Sequence, residues 1–442
     1  MSSDNAIDSE FDFAILGGGL AGLSVAFNLL TRTREKKVLL LEKEDRIGGL
    51  ARSYTQGGVT FDFGPHVLRS SDLNLIRWVS DLVQFREHHT NPATVKYGVY
   101  FDHVIPTITW SNIERLPRQL SDLAMQEIGG LDDSAALKER TNFEDVLIKR
   151  IGKTLYWEFF GQYSAKWWGI SPSRLSADLA PARLAVGQRA SYAHLTTSFR
   201  VPNKEFYPES GGYGSIAEAM LRRINKSYPG RLVTVLNSEV TGFDCKEGNA
   251  LRILTVGEGS SRVASRIYSS LPITLLSRML SVRTALEYRS NICVFLTVDK
   301  GSSKEVQHSW IYFPEEDVSF SRFCSMGQFS PKNETGDCRG YVAEITCFFA
   351  DSTWNRADET LVKSVVDDLA RLGILLPEAV KESRVVREQF AYPLPLVGYR
   401  QERERTLEDI HREAGNVVTI GRTGSFNYWN SDAVLALYRG QI

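Results

Sequence analysis

Three glycines near the amino terminus have the spacing of a dinucleotide-binding turn. Gly17, Gly19 and Gly22 fit the pattern G-x-G-x-x-G. In this pattern the first glycine permits a tight turn, the second lets a pyrophosphate approach the backbone, and the third lets helix and strand pack closely. Glu42 follows Gly22 by 20 residues, where a carboxylate can accept hydrogen bonds from ribose hydroxyls. The spacing predicts a nucleotide cofactor that is held by its phosphates and its ribose.

A second pair of glycines helps to decide which dinucleotide is bound. Gly48 and Gly49 permit another close backbone approach, and Arg52 could meet a phosphate. Far downstream, Gly421 and Arg422 end the last predicted strand. The first glycine pattern has no second copy, whereas a flavoenzyme with a separate nicotinamide domain would usually have two. We therefore predict FAD, bound non-covalently.

These residues need a β-α-β unit to position them, and the sequence predicts one. Phe11 to Gly17 has the pattern of a buried strand, Leu20 to Leu30 that of an apolar helix, and Lys37 to Lys43 that of a second buried strand. The helix would direct its free N–H groups and the positive end of its dipole at the phosphates.

The rest of the chain changes character along its length. Ser121 to about Trp168 is mostly helical in pattern, Arg231 to Pro272 has short β segments, and further strands, helices and a last strand follow. We predict an α/β fold: a Rossmann-like FAD-binding domain with an inserted helical domain and a β-sheet substrate domain. The predicted FAD-binding domain is 11–75 with 205–275 and 415–442. The mainly helical substrate or lid domain is 76–204, and the β-sheet substrate domain is 276–414.

Composition excludes several classes of function. The net charge of -1 gives no reason to expect nucleic acid or an anionic membrane as partner. The five cysteines contain no C-x-x-C pair, so neither a disulfide framework nor a zinc site is indicated, and we expect no metal. No run of eighteen apolar residues predicts a membrane span. We expect a cytoplasmic protein, and the sequence leaves open whether it forms an oligomer.

Several segments carry a resemblance to known flavoproteins. The glycine-pair segment, together with Phe61-Asp62-Phe63-Gly64-Pro65-His66, resembles the group of amine oxidases, protoporphyrinogen oxidases and UDP-galactopyranose mutases. The chain is most similar to the mutases, particularly their eukaryotic-type branch, over scattered segments along most of its length. Those mutases use reduced FAD to interconvert UDP-galactopyranose and UDP-galactofuranose with no net redox change. The resemblance implies that His66 lies beside the flavin.

The resemblance also implies a substrate site made of arginines and aromatic side chains. Arg183 and Arg322 would hold the pyrophosphate, because two guanidinium groups can bind a diphosphate bidentately; the alternative is that both are surface ion-pair partners. The tyrosines could donate to the same diphosphate or pack in a β-rich core. The implied catalytic residues are His66, Arg183 and Arg322. The implied substrate-binding residues are Tyr163, Trp168, Arg183, Tyr312, Arg322, Tyr392 and Tyr428. The cofactor residues, from patterns and resemblance together, are Gly17, Gly19, Gly22, Glu42, Gly48, Gly49, Arg52, Val240, Gly421, Arg422, Asn430 and Asp432.

Three places differ from the eukaryotic-type pattern. Ser164 stands where that branch usually has an asparagine, Leu195 to Arg200 lacks an asparagine before its Phe-Arg pair, and Tyr428 to Asp432 is shorter than in that branch. All three fall in the sugar or nucleoside region.

Two hypotheses of function follow. The first is a mutase that interconverts pyranose and furanose forms of a UDP-sugar, in which N5 of reduced FAD attacks the anomeric carbon, with NADPH or NADH as a possible external reductant. The second is an oxidoreductase of the amine-oxidase or protoporphyrinogen-oxidase type, in which oxidised FAD takes a hydride from its substrate.

Overall fold

The computed structural model describes residues 9–102, 107–130, 142–180, 185–186, 204–245, 251–255 and 262–439. In chain order the strands are β1 (Ser9–Leu16), β2 (Val38–Leu41), β3 (Ser53–Gln56), β4 (Val59–Asp62), β5 (Leu68–Ser70), β6 (Phe85–His88), β7 (Ala93–Lys96), β8 (Val99–Asp102), β9 (Thr107–Ile108), β10 (Ala185–Val186), β11 (Lys204–Pro208), β12 (Leu232–Val235), β13 (Val240–Cys245), β14 (Leu251–Thr255), β15 (Arg262–Ser269), β16 (Tyr288–Asp299), β17 (Trp310–Tyr312), β18 (Arg322–Ser325), β19 (Cys338–Cys347), β20 (Val380–Pro393) and β21 (Val417–Thr419).

The helices lie between and around these strands. They are α1 (Leu20–Arg32), α2 (Leu73–Ser80), α3 (Trp110–Glu114), α4 (Arg118–Gly129), α5 (Phe143–Ile151), α6 (Lys153–Tyr156), α7 (Gln162–Trp168), α8 (Ser215–Ser227), α9 (Ile273–Met279), α10 (Met326–Phe329), α11 (Asp358–Arg371), α12 (Tyr399–Glu413), α13 (Gly421–Gly424) and α14 (Ser431–Leu435). Within the described ranges, no helix is both long and apolar enough to cross a membrane.

The predicted β-α-β unit is present at the centre of a parallel sheet. Strands β12, β2, β1, β15 and β21 pair in parallel in that order. Strand β14 pairs antiparallel with β15, and β13 pairs antiparallel with β14. Every residue of β2 is buried, as expected for a strand whose two faces are both covered. Helix α1 packs against α8, α13 and α14. The carboxyl ends of β1 and β2 therefore face the start of α1.

Short helices from α3 to α7 form the middle of the chain around their own apolar core. Asn142 caps α5 by accepting a hydrogen bond from the Asp145 N–H at 2.9 Å. Gly152, at φ 83°, separates α5 from α6, and a π-helical turn over Trp157–Gly161 joins α6 to α7. The buried side chains Val146, Leu147 and Ile151 belong to the helical face that the sequence predicts.

A second large sheet lies beside this helical unit. Its strand order is β20-β16-β19-β18-β17-β7-β8, and all pairs are antiparallel except β17 with β7. Residues 93–102 lie inside the range that the sequence predicts as mainly helical, but they form strands β7 and β8. They are strands because β7 pairs with β17, with Ala93 opposite Ile311. The predicted α/β fold class is confirmed, while the domain boundaries stay a prediction.

Candidate functional site

The glycine turn after β1 has the geometry that its sequence predicts. Gly17 adopts φ 100°, and a Cβ there would lie 2.2 Å from the Ser270 hydroxyl oxygen. A Cβ on Gly22 would lie 2.1 Å from the Gly17 carbonyl oxygen. Both distances are shorter than any Cβ contact allows, so the fold itself requires glycine at Gly17 and Gly22.

Gly19 differs from its two neighbours, and this difference tests whether a dinucleotide fits. A Cβ on Gly19 would be 3.7 Å from the nearest atom, the Gly49 Cα, which is an ordinary contact. The protein therefore leaves room for a Cβ-sized group beside Gly19, between two glycine turns that are joined by the Gly48 N–H to Gly18 carbonyl hydrogen bond of 2.9 Å. Space of this kind at the start of a helix is where the pyrophosphate of a dinucleotide binds. The residues present fit FAD.

Glu42 closes the other side of this turn. Its carboxylate accepts hydrogen bonds from the Gly18 N–H at 2.7 Å and the Glu44 N–H at 3.0 Å. Only 7% of Glu42 is exposed. These two bonds fix the carboxylate at the end of β2, and each oxygen keeps a second lone pair for a ribose hydroxyl.

Arg52 is buried and held by protein groups. Its Nε donates to the Tyr54 hydroxyl at 2.9 Å, its Nη1 donates to the Gly49 carbonyl at 2.8 Å, and its Nη2 forms an ion pair with Glu388. Each guanidinium nitrogen already has a protein partner. In this structure Arg52 fixes the Gly48-Gly49 turn, and its predicted contact with a phosphate stays a prediction.

Residues near the carboxyl terminus pack against the helix that follows the glycine turn. Gly421, at φ 73°, approaches α1 so closely that a Cβ would lie 2.6 Å from the Ala21 Cβ. Helix α14, which begins after Asn430 and contains Asp432, also packs on α1, and the predicted contacts of these two residues with the cofactor stay a prediction. Val240 is buried at the start of β13, in the core that includes Leu16 and Leu41 from β1 and β2.

His66 contacts an aromatic side chain that is linked to α14. Its ring stacks on Tyr213 with 5.3 Å between ring centroids, and the Tyr213 hydroxyl hydrogen-bonds Ser431 at the start of α14. Burial lowers the pKa of His66 to about 4, and the nearby cations Arg322 and Arg422 act in the same direction. His66 is therefore neutral at pH 7.

Six aromatic side chains from distant segments meet in one cluster. Tyr163 lies edge-on to Tyr312 with 4.9 Å between centroids, and Trp167 lies edge-on to Tyr392 at 5.2 Å. Tyr392 stacks on Tyr428 at 6.3 Å. We call this set the aromatic cluster; its members are Tyr163, Trp167, Trp168, Tyr312, Tyr392 and Tyr428. Tyr428 is 46% exposed, so the cluster is open to solvent on that side.

Arg322 joins the aromatic cluster to a buried carboxylate. Its Nε and Nη2 donate to the two oxygens of Glu344 at 2.6 and 2.8 Å, and Nη2 also reaches the Tyr392 hydroxyl at 3.2 Å. The guanidinium carbon lies 4.7 Å from the Trp167 ring centre. Glu344 is fully buried, and a Cβ on Gly64 would lie 2.4 Å from it. Burial opposes the charge of Arg322, yet Glu344 holds the pKa of Arg322 well above its usual range.

Arg422 is a second arginine that contacts the aromatic cluster. Its guanidinium carbon is 4.3 Å from the Tyr428 ring centre and 5.1 Å from that of Tyr392. The Nε and Nη2 atoms are buried, and the described residues offer them no hydrogen-bond partner. A buried guanidinium with unpaired donors is costly unless a ligand accepts from it. The chemistry of these donors fits a phosphate or another anion.

The structure brings together most of the residues that the sequence singles out. Tyr163, Trp168, Tyr312, Tyr392 and Tyr428 all belong to the aromatic cluster. Arg322 contacts it, and His66 lies nearby through the Gly64–Glu344 contact. Arg183 and the segment Leu195 to Arg200 lie outside the described residues.

Sequence reasoning missed three residues of this site. Glu344 gave no signal because it lies in the middle of an apolar strand, and only the register of β18 with β19 shows that it opposes Arg322. Trp167 is adjacent to Trp168, and the sequence alone does not show which of the two side chains meets Arg322. Tyr213 follows a glycine pair, Gly211-Gly212, which could have been noticed as a turn close to the cofactor.

Comparison with known proteins places these features in a family. The model of the flavin-containing amine oxidoreductase family matches residues 20–424. A protein named "Probable UDP-galactopyranose mutase" from Klebsiella pneumoniae is 27% identical over 171 residues, which are 37% of this chain and 43% of that protein. The dTDP-fucopyranose mutase of Escherichia coli is 23% identical over 169 residues, 37% of this chain and 44% of that protein. The chain thus spans less than half the length of these two relatives.

A solved structure shares the fold over nearly the whole chain. The crystal structure of a reduced UDP-galactopyranose mutase superposes with a TM-score of 0.78 and 20% identity, covering 97% of this chain and 92% of that one. The predicted FAD cofactor and the predicted resemblance are confirmed. With its glycine turns, its fold and the family match over most of its residues, this chain belongs to the flavin-containing amine oxidoreductase family.

Proposed function

We propose that this chain is an FAD-dependent nucleotide-sugar mutase that interconverts the pyranose and furanose forms of a UDP-sugar. The observation that carries the proposal is the Arg422 guanidinium beside Tyr392 and Tyr428, whose buried Nε and Nη2 have no hydrogen-bond partner among the described residues. An arginine held in this way needs an anion, and a diphosphate supplies two charged groups to it and to Arg322. Two relatives that are named as nucleotide-sugar mutases support this assignment.

The charge of the site is divided between two arginines. Arg322 is compensated by Glu344 and keeps Nη1 for a ligand, since Nε and Nη2 are both used by protein groups. Arg422 has no such counter-ion in the described part of the chain, so it offers the stronger attraction for a departing diphosphate. Arg183 is proposed as a third cation at the same diphosphate. Cations that are fixed before reaction stabilise the charge that develops on a leaving group.

The tyrosines of the aromatic cluster that are buried act as neutral groups, which can donate hydrogen bonds or form apolar walls. Burial raises the pKa of Tyr163 and of Tyr312, and burial together with the Glu344 charge raises that of Tyr392. Each hydroxyl therefore stays protonated at pH 7 and can donate to a phosphate oxygen. The ring faces would exclude water from the reacting sugar.

The cofactor supplies the covalent chemistry, and the protein positions the sugar. Reduced FAD, when bound, offers a nucleophilic nitrogen to the anomeric carbon of the sugar. Neutral His66 can donate from one ring nitrogen and accept at the other without placing a positive charge beside the cofactor. We place this activity in the cytoplasm, with NADPH or NADH as the external reductant.

The number of turnovers for each reduction tests the proposal. A mutase returns its cofactor to the reduced state, so one reduction with dithionite under anaerobic conditions should support many conversions of a UDP-hexopyranose. The oxidised protein should be inert. Failure of the reduced protein to isomerise any of a panel of UDP-sugars, with UDP showing no measurable affinity, would reject the nucleotide-sugar assignment.

The family match favours one alternative, a redox reaction in which oxidised FAD takes a hydride from the substrate. An oxidase passes on two electrons for every product that it forms. Stoichiometric formation of peroxide or of a reduced acceptor with an amine or porphyrinogen substrate, without isomerisation, would support this alternative. The fold and the cofactor assignment would stand in either case.

A further inference from the structure

Lys166 has an unusual set of partners for a buried cation. Its ammonium lies within hydrogen-bond distance of four backbone carbonyl oxygens and of no carboxylate in the described part of the chain. The oxygens belong to Phe313 at 2.9 Å, Glu315 at 2.7 Å, Val318 at 2.8 Å and Phe320 at 2.8 Å. We call residues 313–320, which join β17 to β18, the hairpin loop. The hairpin loop folds around one positive charge.

Lys166 sits between residues of the proposed substrate site. On its own helix, α7, Tyr163 and Trp167 lie in the aromatic cluster. The hairpin loop is flanked by Tyr312 on one side and Arg322 on the other. One ammonium therefore joins the helix that carries half of the cluster to the loop whose two ends carry the other contacts.

Other contacts hold α7 without help from Lys166. Arg289 Nε donates to the Trp167 carbonyl at 3.0 Å, and its Nη2 donates to the Thr346 carbonyl at 3.2 Å, which ties α7 to β16 and β19. The hairpin loop has apolar anchors in the sheet core at Phe313, Val318 and Phe320. Loss of Lys166 would therefore leave α7 and the hairpin loop folded but remove the charge that positions the loop relative to the helix.

We propose that Lys166 is a positioning residue that acts as a built-in cation: its ammonium organises the hairpin loop and so places Tyr312 and Arg322 opposite Tyr163 and Trp167. This proposal rests on the proposed function only for the identity of the ligand. Four carbonyl oxygens that converge on one point can replace the hydration shell of K⁺ or NH₄⁺ and so bind the ion. The cage should accept such an ion once the lysine is removed.

The surroundings of Lys166 agree with this role. Burial lowers the pKa of Lys166 to about 8, while the carboxylates of Asp368, Asp317, Glu315 and Glu316 act in the opposite direction. The side chain is therefore mostly charged at pH 7. A cavity of about 470 Å³ reaches Lys166 beside Asp317 and Val318, so a small cation has a path to the cage.

The test combines hydrogen exchange with UDP titration on the FAD-loaded protein. In Lys166→Ala we expect faster amide exchange in peptides that cover the hairpin loop and about tenfold weaker UDP binding. Potassium or ammonium chloride should restore both, and choline chloride at the same ionic strength should restore neither. The matched control is Lys153→Ala, an exposed lysine of the same helical unit, which should behave as the wild type in every salt.

Three results would overturn the proposal. These are unchanged exchange of the hairpin loop in Lys166→Ala, no recovery with either cation, or recovery of the loop without any change in UDP affinity. If Lys166→Ala does not load FAD, Lys166→Gln replaces it, because an amide keeps two donors without the charge. A wild type that fails to bind UDP would reject the proposed function, and the exchange result would still decide the role of Lys166.

Discussion

The glycine turns and the aromatic cluster are built in opposite ways. The turns use backbone from the short ranges 17–22 and 48–49, and the side chains of Glu42 and Arg52 hydrogen-bond to that backbone. The aromatic cluster uses side chains from α7, β17, β20 and the segment after β21, and Arg322 from β18 contacts it. The first region depends on the absence of side chains, whereas the second depends on the register of long-range strands. Substitutions in the glycine turns should therefore act by filling space that the backbone or a ligand needs. Substitutions around the aromatic cluster should act by changing charge.

The largest expected effect is a loss of stability in the glycine turns, and it should occur on substitution of Gly22 but not of Gly19. Gly22→Val should destabilise the protein by at least about 3 kcal/mol, because its Cβ would lie 2.1 Å from the Gly17 carbonyl oxygen. Gly19→Val should fold, since its Cβ has only an ordinary contact, but should fail to load FAD because the side chain fills the space for the pyrophosphate. The measurements are thermal unfolding of the apoprotein and flavin absorbance. Full flavin loading of Gly19→Val would contradict the placement of the cofactor.

In the second region the largest effect should come from Glu344. Glu344→Ala removes the fully buried partner of Arg322 and should lower the free energy of unfolding by about 3–5 kcal/mol, because a buried cation loses its counter-ion. Glu344→Gln should cost less, since its amide oxygen still accepts from Arg322. Urea unfolding of both variants measures this, with Glu359→Ala, an exposed glutamate of α11, as control. A Glu344→Ala protein as stable as the wild type would show that the pair does not hold this region together.

The two arginines should differ in the property that they affect. Arg422→Ala should weaken UDP binding by about 1.5–3 kcal/mol, roughly ten- to a hundred-fold, with little loss of stability, because its donors are free for a ligand. Arg322→Ala should weaken UDP less but destabilise the fold, since it leaves Glu344 charged and unpaired. Calorimetric titration at equal flavin loading and urea unfolding give both values. Arg422→Lys should recover only part of the affinity because an ammonium lacks the planar fork.

The smallest expected effect concerns the charge of His66. The folded pKa of about 4 lies below the ordinary value of 6.5, so the neutral form is favoured by folding. The stability that this shift contributes is present above about pH 6.5 and is lost as the pH falls through about 4. His66→Gln should therefore lose less stability than the wild type between about pH 7 and about pH 5. The free energy of unfolding of both proteins is measured with urea at each pH. Equal losses in the two proteins would show that His66 is already protonated in the folded protein over this pH range.

The same contrast explains which parts of the molecule could be predicted from the sequence. The turn at Gly17 to Gly22 and its flanking elements were predicted closely, because spacing along the chain determines local backbone geometry. The aromatic cluster was predicted only through resemblance, residue by residue. Nothing in the sequence around Glu344 indicates that β19 places it against Arg322, since a strand pairing is set by the whole sheet.

The strands near residue 93 show the same limit. Residues 93–102 lie between helical segments, and their alternation is too short to indicate which sheet they join. The parallel pairing of β7 with β17 joins residues that are more than two hundred positions apart in the sequence. Arg52 is a different case: its contact with a phosphate stays a prediction, and nothing in the sequence indicates its ion pair with Glu388.

The approach of Gly421 to Ala21 has a consequence for how the protein is made. Strand β21, Gly421 and α14 complete a site that begins at β1, so the first cofactor contacts are synthesised long before the last. A nascent chain that has passed Gly22 has a glycine turn but no partner for the outer face of α1. Contacts between such distant segments form slowly, because a long loop must close before they contribute. FAD capture is therefore a late event in biosynthesis, and until residues 417–439 have emerged the growing polypeptide depends on its apolar α1 surface being shielded in another way.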